Sequence, residues 1–152
     1  METSNLKTLL RQMADITKGS DVGQFYESKA NAAIDVQVIP CSEVLTAEEI
    51  DWIKSVLKPK KKECYKNALM LAQHLRCEYI EGQMFFCFGI DHAFNKVCGK
   101  YIDITKEFAL GDDPTQTEYV AIGEYSYKEA AKVAIATGQF GNVFEYYSMR
   151  KA

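Results

Sequence analysis

Cys64 stands near the head of KKKECYKNALMLAQHL, residues 60 to 75, where three lysines give way to an apolar, helix-forming run. A thiol at a helix start can ionise against the positive end of the helix dipole, and a neighbouring imidazolium strengthens that tendency. Such a nucleophile needs a base, and the chain has only two histidines. His74 lies further along the same helix, roughly 15 Å from Cys64 along the axis at the α-helical rise, too far to touch the thiol. It reads as a surface residue. His92 is the remaining base.

His92 belongs to DHAFNKV, and beyond Cys98-Gly99 the chain resumes as KYIDI. If Cys98-Gly99 is a two-residue hairpin turn, Val97 pairs with Lys100, Phe94 faces Asp103 and His92 faces Thr105. Alternation then puts His92, Phe94, Asp103 and Thr105 on one face, with His92 and Asp103 as diagonal neighbours whose backbones are roughly 7–8 Å apart. A four-residue loop would set the two directly opposite, and a three-residue loop would separate them. Asp103 is suited to hold the imidazole tautomer, the task of the third member of a Cys-His-Asp triad. Lys60, Lys61 and Lys62 favour a thiolate, whereas Glu63 opposes it. Backbone N–H groups at the helix start can receive an oxyanion, and Tyr65, Tyr79 and Gln83 are the candidate oxyanion or substrate side chains.

Each of these residues also has a plain structural reading. Cys64 can be a small buried residue on an amphipathic face, His92 a satisfied strand residue and Asp103 a turn acceptor. Asn95 alternates away from His92 and reads as structural. Cys77, Cys87 and Cys98 read as strand and turn residues, with FFCFG around Cys87 resembling core. Cys64, His92 and Asp103 lack a recognisable metal-ligand spacing, so no metal and no cofactor are expected.

The elements that must position the trio follow from periodicity. Leu6, Leu9, Leu10, Met13 and Ile16 predict a helix over residues 4 to 18, ended by Gly19. Residues 20 to 33 read as a connector, closing a helical extension over about 1–33. Ile34, Val36 and Val38 alternate as a short strand. Thr46 and Glu49 form a capping box, Leu45 and Ile50 a hydrophobic staple, and Pro59 a stop. Cys64, Ala68, Leu71 and Leu75 then share the buried face of the next helix. CEYIEG, MFFCFGI, DHAFNKV, KYIDI and EYVAIGEY read as strands. Ser126 and Glu129 cap a helix over 127 to 137 that Gly138 closes, and NVFEYYSM reads as a last strand. Helices lead and strands follow, which predicts an α+β fold with the Cys64 helix packed on a mostly antiparallel sheet.

The 152 residues, 47% of them hydrophobic, suit a single domain over 1–152 with a core region at about 45–125. A formal charge of −3 argues against nucleic acid or an anionic membrane as partner. No run is long and apolar enough to span a bilayer, and METSNLKTLLRQM lacks a signal-peptide core, so a cytoplasmic location is expected. Five cysteines without a C-x-x-C suggest reduced thiols.

A cysteine at a helix start followed by His and Asp on successive strands resembles the papain-like and transglutaminase-like cysteine hydrolase superfamily. The segments that carry the resemblance are Cys64-Tyr65, His92-Ala93-Phe94-Asn95 and Asp103-Ile104-Thr105, and it covers roughly residues 60 to 105. The set CYKNA, EG, HAFN and IDIT also resembles small phage-encoded proteins, which implies the host cytoplasm. Phe94 replaces the usual Trp, no Gly precedes Cys64, and no side-chain oxyanion donor matches. The resemblance implies a papain/transglutaminase-like core and a hydrolase or acyl transferase acting on a protein or a small acyl or amide substrate. The competing expectation is a non-catalytic binding protein on the same scaffold, capturing a host protein or small molecule; the aromatic tail FEYYSM suits that role.

Overall fold

Ser4 opens the first helix: its hydroxyl accepts the Lys7 N–H at 3.1 Å, and α1 (Asn5–Ile16) buries Leu6, Leu10 and Ala14. The structure is a computed structural model that describes residues 4–149. The segment expected to be a connector contains a second helix, α2 (Gly23–Ala32). Its apolar residues form no clear stripe, which is why periodicity misses it. Tertiary contacts hold it instead: Lys29 is buried, donates to Asp91 at 3.0 Å and lies 4.9 Å from the Phe25 ring centre.

The short strand β1 (Ile34–Val36) leads to α3 (Ala47–Trp52), where the Thr46–Glu49 capping box is formed as expected. A π-helical turn, Ile53–Leu57, prolongs it until Lys58 adopts a left-handed conformation before Pro59. The helix α4 (Cys64–Leu75) follows, with Ala68, Leu69, Leu71 and Ala72 buried. Next come β2 (Glu78–Phe86), β3 (Phe88–Val97) and β4 (Lys100–Ile102), then β5 (Tyr119–Tyr125) and α5 (Tyr127–Thr137). The α5 boundaries match the expected Ser126 cap and Gly138 stop.

Two strand expectations are corrected. NVFEYYSM is not a strand but contains α6 (Val143–Met149), whose first N–H groups, from Val143 and Phe144, donate to the buried Glu81 carboxylate at 3.0 and 2.8 Å. A carboxylate at a helix start offsets the strand propensity of Val, Phe and Tyr. MFFCFGI is not one strand, because Cys87 takes a positive φ of 59° and turns β2 into β3. Phe86 and Phe88 flank it at 63% and 62% exposure, so this segment is a hairpin tip and not core.

The five strands form one antiparallel sheet in the order β1-β5-β2-β3-β4. It curls until its edges meet: Val38, just past β1, bridges to Tyr101 of β4, and the Ile39 N–H donates to the Tyr101 carbonyl at 3.0 Å. A register shift between Glu81 and Gly82 brings β5 very close to β2, where a Cβ on Gly82 would collide with the Val120 carbonyl. Three apolar clusters form the core of the described residues. One joins Ala68, Leu71, Tyr79, Ala93 and Val133 between sheet and helices, one joins Val38, Ile80, Met84, Phe94 and Tyr119, and one joins Leu6 and Leu10 to Val120 and Ile122. No helix among the described residues is long and apolar enough to cross a membrane.

Candidate active site

The site is assembled by a turn, a strand and a helix start. Cys98 and Gly99 both have positive φ, 52° and 80°, the signature of a two-residue hairpin turn, and Val97 pairs with Lys100. The ladder continues to Asn95 opposite Ile102 and then stops. Asp103 ends it by turning the chain: its Oδ1 accepts the Lys106 N–H at 3.1 Å and its carbonyl accepts the Glu107 N–H at 3.2 Å. Thr105 therefore does not face His92 across a ladder, contrary to expectation, but begins a π-helical turn, Thr105–Ala109.

The expected His92–Asp103 juxtaposition is present as a direct contact. His92 Nε2 and Asp103 Oδ2 are 2.7 Å apart, with side-chain exposures of 5% and 1%. Because Nε2 is engaged by Asp103, Nδ1 is the nitrogen left for Cys64. Cys64 adds to the effect of Asp103, and both favour the imidazolium.

Burial pushes the His92 pKa down, but the Asp103 charge and hydrogen bond, with those of Cys64, outweigh it and raise it to about 10. Burial likewise pushes Asp103 up. The His92 charge, hydrogen bonds from His92 and the Tyr119 hydroxyl, and the Lys106 N–H together hold it below the usual carboxylate range. The pair is therefore an ion pair at neutral pH.

Cys64 is half-buried at the first position of α4. Its helix is fastened to the Asp103 segment by Asn67, one turn on and buried, whose Nδ2 donates to Thr105 Oγ1 at 2.9 Å and to the Lys60 carbonyl at 3.0 Å. Asn95 points to α4, as its alternation from His92 requires, and donates to the Ala68 carbonyl at 2.9 Å. The other cysteines divide in two. Cys41 and Cys77 are buried, and burial raises both thiols, Cys77 to about 12, whereas Cys87 and Cys98 are exposed. His74 is exposed and stacked on Trp52, with ring centres 3.6 Å apart.

The candidate oxyanion or substrate side chains lie in different settings. Tyr65 lines a narrow cleft of about 50 Å³ together with Lys29, Glu81, Gly82, Asp91 and Phe144. The Tyr79 hydroxyl is committed to Glu81 at 2.5 Å and the Gln83 amide to Asp91 at 3.1 Å. Two residues that the sequence reading passes over belong to the site. Asn67 has a local signal, being a polar residue three positions after Cys64 in an apolar run. Tyr119 has none, because it reaches Asp103 from a strand that local pattern cannot relate to the hairpin. Its hydroxyl donates to Asp103 Oδ2 at 2.6 Å. Among the described residues no group of three or more His, Cys, Asp or Glu side chains could hold a metal ion.

A scan against protein-family models, a search of curated proteins and a search of solved structures each found no match to this chain.

Proposed function

We propose that the protein is a cysteine-nucleophile hydrolase or acyl transferase that acts on an amide or thioester-type bond through Cys64, His92 and Asp103, on a papain/transglutaminase-like core. The observation that carries this reading is the buried His92–Asp103 pair, whose second ring nitrogen is left to the half-buried thiol at the start of α4. A buried ion pair is expensive to desolvate and is weak evidence of a purely stabilising role. Pairing it with a thiol gives it a chemical one.

In this mechanism the Cys64 sulfur attacks the acyl carbon, forming a C–S bond while the carbonyl electrons move to oxygen. The free N–H groups of the first turn of α4 face the developing oxyanion. Collapse breaks the bond to the leaving group, which takes the proton from His92. Water or an amine then gives a proton back to His92 as it attacks the thioester, and the C–S bond breaks to restore the thiolate and imidazolium. Asp103 keeps its charge throughout and orients the ring.

The test is to trap the first half-reaction with p-nitrophenyl acetate, reading acylation by peptide mass spectrometry. The expected result is stoichiometric acetylation of Cys64 that is lost in Cys64→Ala and at least tenfold slower in His92→Ala, consistent with the usual contribution of general base catalysis. Acetylation confined to the exposed Cys87 and Cys98 would overturn the proposal.

A second reading, capture of a polypeptide without turnover, is favoured by one feature. Leu9, Met13, Ile16 and Phe88 line an apolar groove of about 430 Å³ that also includes Lys29 and Asp91, two residues of the cleft beside Tyr65. Capture that survives Cys64→Ser but is lost on replacing Met13 and Phe88 with Ser would favour this reading.

A further inference from the structure

Asp103 is a buried carboxylate with three donors. Lys106 N–H holds Oδ1 at 3.1 Å, while His92 Nε2 and the Tyr119 hydroxyl converge on Oδ2 at 2.7 and 2.6 Å. Tyr119 is 1% exposed, and its ring centre lies 6.3 Å from that of His92 and 5.3 Å from that of Phe94. It is fixed in β5, which pairs with β1 and β2 and not with either strand of the hairpin. A buried phenol has little reason to lie against a carboxylate unless it donates a hydrogen bond. Asp103 in turn could be satisfied by His92 and Lys106 alone.

We propose that Tyr119 is a positioning residue for the Cys64–His92–Asp103 site, a fourth member that fixes the Asp103 carboxylate in its charged form and aims Oδ2 at His92. This inference rests on the triad reading. Burial keeps the Tyr119 phenol well above its ordinary pKa, so it remains protonated and can only donate to the anion. The hydrogen bond stabilises the charged form of Asp103 and lowers the pH at which that group takes up a proton. Once Asp103 is protonated it no longer holds the imidazolium through Nε2, and the orientation of Nδ1 toward Cys64 is lost. Tyr119 thus sets how far into the acid range the site stays assembled.

The experiment follows iodoacetamide labelling of Cys64 from acid to neutral pH in wild type, His92→Ala and Tyr119→Phe. The Phe variant keeps the ring and its packing and removes only the donor. In wild type the His92-dependent labelling falls away at an acid edge, and in Tyr119→Phe that edge moves upward by roughly one pH unit, the scale expected for a hydrogen bond to a buried charge. A purely structural tyrosine would change thermal stability and leave the edge where it is. The edge is checked independently by NMR of isotope-labelled histidine, since the chain has only two: exposed His74 is the internal reference, and the loss of the His92–Asp103 contact marks the same pH.

If Tyr119→Phe does not fold, 3-fluorotyrosine placed at position 119 alone retains ring and hydroxyl but donates more strongly, and it moves the edge downward. An unchanged edge in either variant, beside a wild type with His92-dependent labelling, overturns the role of Tyr119 and leaves the triad standing. Wild type without His92-dependent labelling overturns the triad reading and this role together.

Discussion

His92 is where two opposing physical demands meet. Burial favours the neutral ring, and the Asp103 carboxylate 2.7 Å away favours the charged one and wins. The sign of the pH dependence follows. His92 is raised on folding, so its contribution to stability is complete below its ordinary value of 6.5 and is lost as pH climbs through about 10. Asp103 is depressed, so its contribution is present above 3.8 and is lost as pH falls through its lower folded value. These are two views of one ion pair, strongest between about pH 4 and pH 6.5. We predict that Asp103→Ala, which leaves a buried imidazole without its partner, costs about 3–5 kcal/mol in urea unfolding near pH 6 and clearly less near pH 9. An equal cost at both values would mean that His92 is neutral in the folded protein. At this scale the sequence was informative, since His92 was singled out by elimination and Asp103 by register. The sequence could not reveal Tyr119, because the strand that carries it, β5, pairs with β1 and β2, both far from it along the chain.

The hairpin turn and the first turn of α4 decide whether those residues meet. The two-residue Cys98-Gly99 turn was one of three loop lengths the sequence left open; the structure selects it, with two consecutive positive φ values and pairing from Val97–Lys100 to Asn95–Ile102. Beyond Ile102 the expectation failed at Thr105, since Asp103 uses its own carboxylate to start a turn. That departure is what makes Thr105 available to Asn67, and the Asn67–Thr105 bond becomes the fastening between α4 and the Asp103 segment. Asn67→Ala leaves the buried Thr105 hydroxyl and the Lys60 carbonyl short of a donor. We expect a loss of about 1–3 kcal/mol in thermal or urea unfolding, with slower Cys64 alkylation while the protein is still folded. Normal alkylation in a destabilised Asn67→Ala would show that the bond supports the fold without positioning the thiol. The two misread elements, α2 and α6, share a cause. The apolar residues of α2 form no clear stripe, and each helix is tied down by a buried ionisable side chain bonded across the fold, Lys29 of α2 to Asp91 of β3 and Glu81 of β2 to the first N–H groups of α6.

Across the whole molecule, the α+β arrangement with a Cys64 helix on an antiparallel sheet was readable from the order of elements. The closure of the sheet through Val38 and Tyr101 was not, because one bridge between distant residues leaves no local pattern. The N-terminal helices are likewise more than an extension, since Leu6 and Leu10 share a cluster with Val120 and Ile122 of β5. This scaffold offers five thiols in three environments: Cys41 and Cys77 buried, Cys87 and Cys98 exposed, and Cys64 half-buried at the start of α4. One measurement separates them and tests the central claim: the rate of iodoacetamide labelling at each cysteine as a function of pH, in wild type and in His92→Ala. Near pH 6 Cys64 is expected to react well ahead of the more exposed Cys87 and Cys98, and His92→Ala to abolish the lead. A Cys64 that labels no faster than those two, or that keeps its lead without His92, would contradict that claim.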